Sequence, residues 1–356
     1  MVAERDQPLE KARSLAREAL AGWRGADPDQ AIDACDHALA LLLPVGPTDA
    51  LADVLRWKGS ILRDRGSHAA ASDLYSQSLA VADAITYKGG RAHALNCLGT
   101  IAQLRGDLSA AERWYGEAAR LAHRIGDRRL SGMVQQNLGI IAETQDRTDE
   151  AVAHFRLALA AFEQEGQNDA VVWVLNNLGV LYTREGAYAR AAEVLDRALK
   201  LAREMNDAAS ETFVEENRAT MFLGTGRLDD AELSCRRAHD LAERRGDDTR
   251  RAAAFRLLAR INLQRDKRAP LAVVLFERSL ALSERGEDVQ LRTEILSDMG
   301  DAFLARGELT RARDYWRRAL ELARLAGFTA MVTRLQGRLK STVTDRRSGT
   351  SEAVTL

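Results

Sequence analysis

The chain has 356 residues, with 51 basic and 52 acidic side chains, a formal net charge of −1, 46% hydrophobic residues and 5 prolines. This balance excludes a disordered polyelectrolyte and gives no overall electrostatic case for wrapping nucleic acid. Aromatics make up only 5%, so a folded core must be built mainly from Ala, Leu and Val, as closely packed helices allow.

In chain order, residues 1–8 read as a short N-terminal tail, too charged for a signal peptide. A first helix carries Ala19. "GADPDQ" then turns the chain and starts a second helix with Ala31, Cys35 and Ala38. The longest apolar run, "ALALLLPV" from Ala38, falls far short of the roughly 18 residues that a membrane span needs. Cys35, Cys97 and Cys235 are odd in number and far apart, which argues against a disulfide framework and fits a reducing compartment. Of the 51 basic residues only six are lysine, and with abundant alanine that bias points to a GC-rich bacterial genome. A cytoplasmic protein is expected.

From the second helical pair onward the chain keeps a period. Gly59, Gly99, Gly139, Gly179, Ala219, Ala259 and Gly300 are spaced by forty residues five times and forty-one once. Twelve residues after these come Ala71, Ala111, Ala151, Ala191, Ala231 and Ala312; four further on, Tyr75, Tyr115, Phe155, Leu195, Cys235 and Trp316; three beyond that, a small residue again. Offsets of four and three share one helical face. Small residues there let two helices approach, with the larger residue filling the gap.

Gly66, Gly106, Gly186, Gly226 and Gly307 mark the turn inside each pair, with Asp146 and Asp266 substituting in two units. Gly126, Gly166, Gly246, Gly286 and Gly327 close the second helices, and Asp127, Asp248 and Asp288 are placed to cap the next. Each helix should run 15 to 17 residues, roughly 24 Å. One hairpin cannot bury its apolar face alone, so neighbours must stack. The expected organisation is a single all-α solenoid of eight hairpins over residues 9–327, a capping helix at 328–342 and a disordered tail at 343–356. The sixth unit, "LQRDKRAPLAVVLFERSL", carries extra turn residues and needs Ala272 and Phe276 in the packing positions; a local distortion is expected there.

The pattern of small residue, Ala, aromatic and Ala in a helical hairpin resembles the tetratricopeptide repeat, best in the second to fifth and seventh units and over about residues 9–342. The period exceeds that family's usual ~34 and is similar to the longer-helix variety of Pins-type adaptors, kinesin light chains and bacterial response-regulator phosphatases and peptide sensors. The resemblance implies a right-handed superhelix whose first helices line a concave groove that binds a peptide or helix of a partner protein. It also implies the lining. Asn96, Gln136, Asn176 and Arg256 stand three before the small residue, and Asn137, Asn177 and Asn217 two before. Met133, Trp173 and Phe213 stand six before, and Ile140 and Val180 one after. A side-chain amide offers one acceptor and two donors, so the asparagine ladder can hold a ligand backbone or order neighbouring helices. The apolar positions can anchor a ligand or pack between helices. Both alternatives stay open.

Arg256, Arg260, Glu294 and Asp301 make the C-terminal part of that face charged, selecting a charged flank on a ligand or simply facing solvent. Glu215 and Glu216 read as a solvated acidic pair. His93 and Cys97 lie one helical turn apart with no third catalytic partner, which favours packing over nucleophilic catalysis. There is no two-histidine helical pair, no Cys-x-x-Cys and no phosphate loop. The expectation is a non-enzymatic adaptor without cofactor or metal. The alternatives are a peptide-responsive sensor and, supported only by arginine abundance, a helical-repeat RNA binder whose period is wrong for reading one base per repeat.

Overall fold

The computed structural model describes residues 10–12, 14–15, 27–266, 270–286 and 288–348, and their regular structure is helical throughout. The helices are α1 (Pro28–Leu42), α2 (Asp49–Asp64), α3 (His68–Ala84), α4 (Lys88–Leu104), α5 (Leu108–Ile125), α6 (Arg128–Thr144), α7 (Thr148–Gln164) and α8 (Asn168–Arg184). They continue with α9 (Tyr188–Glu204), α10 (Ala208–Gly224), α11 (Leu228–Arg244), α12 (Asp248–Arg265), α13 (Pro270–Ser283), α14 (Val289–Ala305), α15 (Leu309–Leu325) and α16 (Thr329–Ser348). Even numbers are first helices of hairpins and odd numbers second helices. The chain divides into two compact units, Met1–Val174 and Leu175–Leu356, the division falling within α8. Each unit is a stack of hairpins in the manner of an α-solenoid. Ala19, the N-terminal tail and residues 349–356 lie outside the described residues.

In the first unit three hairpins close where a glycine meets a ring. A Cβ added to Gly59, Gly99 or Gly139 would fall 2.7 Å from the side chain of Tyr75, Tyr115 or Phe155 respectively. Nothing but glycine fits without movement. In the second unit Gly179 faces Leu195 and Gly300 faces Trp316 in the same way. Where the large residue shrinks to Cys235, the small one is Ala219, and both are fully buried.

The residue after the glycine follows the chemistry of the ring. The Tyr75 hydroxyl donates to Ser60 Oγ at 3.1 Å, the Tyr115 hydroxyl to Thr100 Oγ1 at 3.1 Å, and Trp316 Nε1 to Asp301 Oδ1 at 3.1 Å. Phe155 and Leu195 need no acceptor, and the corresponding residues are Ile140 and Val180.

The turns are as economical as the sequence predicts. Gly106 adopts φ +79°, the Asp107 N–H reaches back to Ala102 O at 2.9 Å, and the Asp107 carboxylate accepts from Ala110 N at 2.9 Å. One residue closes α4 and caps α5. Asp127, Asp207, Asp247 and Asp288 cap in the same manner. The expected cap Asp248 is instead the first residue of α12: with Gly246 left-handed at φ +66°, position 247 falls on the cap. Asp146 takes the left-handed place at φ +56°, and Thr86 and Asn206 do so at two second-helix ends where no glycine stands. Asp266 does not; it is extended, at φ −144°.

That departure belongs to the sixth unit, where α12 runs to Arg265 and α13 starts at Pro270 and has only 14 residues. Proline suits a helix start because its missing N–H is unpaired there anyway. Ala272 and Phe276 are nevertheless fully buried. Helix α16 buries Leu335 against the cluster containing Leu296, Met299 and Trp316, covering the last apolar face, and its helix continues to Ser348, past the expected end at 342.

Glu215 is a correction. Read as half of a solvated pair, it is fully buried in the second unit. Arg203 of α9 lies 2.9 Å from it, Arg218 of α10 at 3.1 Å and Arg237 of α11 at 3.6 Å. One carboxylate ties three helices together.

The glycine contacts predict opposite signs for two Gly→Ala changes. Gly116 on α5 faces open space, where a Cβ would meet nothing nearer than Arg120 at 3.8 Å. Gly116→Ala should gain up to about 1 kcal/mol of helix propensity. Gly99→Ala should lose about 1 kcal/mol or more net, because overpacking costs typically ~1–3 kcal/mol. Urea midpoints of the two variants check this; equal shifts would contradict the packing account.

Candidate functional site

The candidate site lies on the first helices, and its residues fall into a paired row and an exposed set. Adjacent first helices are joined by a seam of polar pairs. In the first unit Asn137 Nδ2 of α6 donates to Asn96 Oδ1 of α4 at 3.1 Å. In the second unit Asn217 Nδ2 of α10 donates to Asn176 Oδ1 of α8 at 2.8 Å. Arg256 Nε of α12 donates to Asp298 Oδ2 of α14 at 2.7 Å, and Arg338 Nη1 of α16 donates to Ser297 Oγ of α14 at 2.6 Å. The first three pairs share one register: the residue two before one repeat's small position bonds the residue three before that of the preceding repeat.

The asparagines therefore do not form a ladder among themselves. Asn96 and Asn176, expected on the groove surface, are buried, because a seam partner from the next first helix covers each. Two of the three ladder asparagines are engaged in ordering the stack. Asn177 and Gln136, half-buried, make no side-chain hydrogen bond among the described residues.

The apolar candidates separate as well. Met133 and Trp173 are 37% and 43% exposed, whereas Ile140, Val180 and Phe213 are half-buried. Trp173 belongs to the first unit, and Asn176, Asn177, Val180 and Phe213 to the second. The Arg250 guanidinium lies over the Phe213 ring at 4.4 Å, a cation–π contact, and also pairs with Glu216 at 3.1 Å.

Glu216 is the other half of the pair read as solvated, and it too is buried. Its Oε1 has no hydrogen-bond partner among the described residues. Burial outweighs the attraction of Arg250 and pushes the carboxyl up to about 7. In the first unit, His93 Nε2 lies 3.6 Å from Asp127, and burial, reinforced by Arg56, holds its pKa down to about 4. Burial pushes the Cys97 thiol up, which disfavours the thiolate a nucleophile requires. Among the described residues no group of three His, Cys, Asp or Glu side chains is placed to hold a metal ion. No described helix is long and apolar enough to cross a membrane.

The charged end is an open groove of about 850 Å³ in the second unit, lined mainly by residues of α8, α10, α12, α14 and α16, including Thr183, Arg256, Arg260, Asp298, Arg334 and Arg338, with Tyr188 of α9 and Phe276 of α13. Arg256 pairs with Glu294 as well as Asp298, and Arg338 with Asp301 at 2.6 Å. Burial, outweighing Arg338, pushes the Asp301 carboxyl up to about 6. Sequence reasoning missed the seam, although its signal is present as complementary residue types forty-one or forty-two apart: Asn with Asn, Arg with Asp, Ser with Arg.

A tetratricopeptide repeat family model matches residues 90–164 and 137–204 of the chain. The chain is 29% identical over 161 residues to a mitochondrial tetratricopeptide repeat protein 19 homolog of Drosophila melanogaster, covering 42% of this chain and 44% of that protein. It is 23% identical over 309 residues to the regulatory protein AfsR of Streptomyces griseus, covering 86% of this chain and 30% of that one. The chain thus spans less than half the length of these curated relatives. Among solved structures it is similar to a Rap protein complexed with competence and sporulation factor. The TM-score is 0.56 at 17% identity, over 88% of this chain and 75% of that one, a likeness of fold.

Glu216 gives the site a pH signature. Its folded pKa of about 7 lies above its ordinary value of 4.5, so the folded state holds the proton more tightly than the unfolded chain. The stability this contributes is full below about pH 4.5 and is lost as pH rises to about 7. Glu216→Gln, permanently neutral, lacks the term. The stability difference between variant and wild type should therefore move in the variant's favour across that window and flatten above it. Denaturant titrations at several pH values test this, and a pH-independent difference would refute it.

Proposed function

We propose that this tetratricopeptide repeat protein is a non-enzymatic adaptor that holds a peptide or helical segment of a partner protein against its first helices, in a regulatory or assembly role in the cytoplasm of a bacterium. The observation that carries the reading is the exposure of Met133 and Trp173 on first helices where Asn96, Asn137, Asn176 and Asn217 are engaged in the seam. Large exposed apolar side chains among satisfied polar groups are what an interaction surface needs, and a tryptophan is the usual energetic anchor. Asn177, four residues after Trp173 and so on the same helical face, offers a side-chain amide to a ligand backbone.

A second reading, a peptide-responsive sensor, draws on the solved Rap protein, which is complexed with a factor, and on the relative named as a regulatory protein. It uses the same surface and adds a change in helix packing on binding. The helical-repeat RNA binder has the least support: the net charge is −1, and the arginines are largely paired with acids, as at Arg203, Arg218, Arg256 and Arg338.

Trp173→Ala should reduce capture of the physiological partner at least tenfold, since anchor truncations typically exceed ~2 kcal/mol, and Asn177→Ala should weaken it less. Asn217→Ala should lower the unfolding midpoint instead, because it removes a seam bond. Pulldown from the source cell and thermal unfolding of the same variants decide it. Retention of every partner by both Trp173→Ala and Asn177→Ala would overturn the adaptor reading on this face.

A further inference from the structure

The groove of the second unit contains two kinds of arginine. Arg256 is held by Glu294 and Asp298 of α14, and Arg338 by Asp301 and Ser297 of the same helix. These four links fix the frame. Arg260, one helical turn after Arg256, and Arg334, one turn before Arg338, make no ion pair among the described residues. The Arg334 side chain donates only to Met331 Sδ, at 2.7 Å. Both arginines line the same groove.

The acids beside them are already engaged, Asp298 by Arg256 and Asp301 by Arg338 and the Trp316 indole. The uncompensated charge of the groove is therefore positive, in a chain whose net charge is −1. Arg260 is half-buried, and burial is the main influence lowering its guanidinium pKa. Its desolvation has been incurred in folding without the return an ion pair gives. An entering carboxylate would meet a planar donor fork with little left to desolvate, which is the geometry that favours bidentate, charge-assisted hydrogen bonds. The groove is open and about 850 Å³, with residues of seven helices along it. An enclosed, mostly apolar pocket would suit a small molecule; an open polar trough suits an extended chain.

We propose that this groove receives an acidic peptide segment, Arg260 and Arg334 each taking a carboxylate while the Arg256 and Arg338 pairs hold the first helices in place. The inference rests on the adaptor reading and names the chemistry of the segment bound.

The test uses the full chain and a fluorescein-labelled decapeptide of alternating glutamate and alanine, followed by anisotropy, with a lysine–alanine decapeptide and a ten-nucleotide oligouridylate as the other arms. The glutamate peptide should bind saturably and more weakly as salt rises, and the lysine peptide should not bind. Arg260→Gln and Arg334→Gln should each weaken binding about tenfold, in keeping with loss of a charge-assisted bond, with thermal unfolding unchanged. Arg260→Lys should retain part of the affinity and covers the case in which Arg260→Gln fails to fold. Arg256→Gln should lose stability, because it breaks two pairs of the frame. No saturable binding at millimolar glutamate peptide, an unaltered Kd in both glutamine variants, or tighter binding of the oligouridylate would overturn the proposal. Capture through Trp173 is measured separately, so failure here leaves the adaptor reading standing and the acidic specificity refuted.

Discussion

A missing side chain decides whether two helices of a hairpin can meet. At Gly59, Gly99 and Gly139 the space a Cβ would need is taken by a ring, and the backbone of one helix lies directly on the aromatic face of the other. The constraint is one of summed size across the contact. Tyr75, Tyr115, Phe155, Leu195 and Trp316 each face glycine, while Cys235 tolerates Ala219 and Phe276, shifted one residue along, stands with Ala259. It also propagates: a ring with a polar atom needs an acceptor beside the glycine, met by Ser60, Thr100 and Asp301. A chain with only 5% aromatics can build a long array this way because one large side chain per hairpin fills the gap.

Stacking poses a different problem, since adjacent first helices must be held together along a face that also meets solvent and partners. The seam answers it with polar pairs rather than apolar contacts. Each such pair joins a residue of one repeat to a residue of the next, so the repeats it links within a unit are coupled as nearest neighbours. The same arrangement keeps large apolar groups such as Met133 and Trp173 out of the seam and in contact with solvent.

The hairpin was legible in the sequence because its contacts are local. Gly99 and Tyr115 are sixteen residues apart, and the same offset recurs in every unit until the sixth, where Ala259 and Phe276 are seventeen apart. A periodic pattern exposes a contact of fixed offset. The seam was not legible as pairing because its partners stand in different rows of the repeat: aligning Asn137, Asn177 and Asn217 displays likeness along a row, whereas the bonds run diagonally to Asn96 and Asn176. Glu215 was misread for a related reason. Its arginines lie at offsets of twelve, three and twenty-two, on three helices, and belong to no repeating pattern. Asp248 was misplaced by one residue because the cap depends on which residue turns left-handed, a property of backbone angle that adjacent aspartates do not reveal. Thr86 and Asn206 show the converse, residues other than glycine taking φ of +59° and +54° because the turn demands it.

The seam changes character within the second unit, and its chemistry there follows from that change. The Asn217–Asn176 link is a neutral amide pair, indifferent to salt and proton concentration. Beyond it ionic pairs enter, Glu216 with Arg250 and Arg256 with Asp298, and ionic pairs at partly buried positions must be matched charge for charge or carry a desolvation penalty. Glu216 and Asp301, raised to about 7 and about 6, are carboxylates whose arginine partners do not fully offset burial. Both shift stability in the same direction, since each contributes stability in acid that is lost as pH rises to its folded pKa, about 7 for Glu216 and about 6 for Asp301. Arg260 is the mirror case, a cation whose neighbouring acids are bound elsewhere. An array of neutral seams can be rigid and inert, but an ionic seam with an unmatched member has a preferred sign of ligand. In this chain the neutral seam lies beside exposed apolar anchors, and the ionic one beside an unmatched arginine.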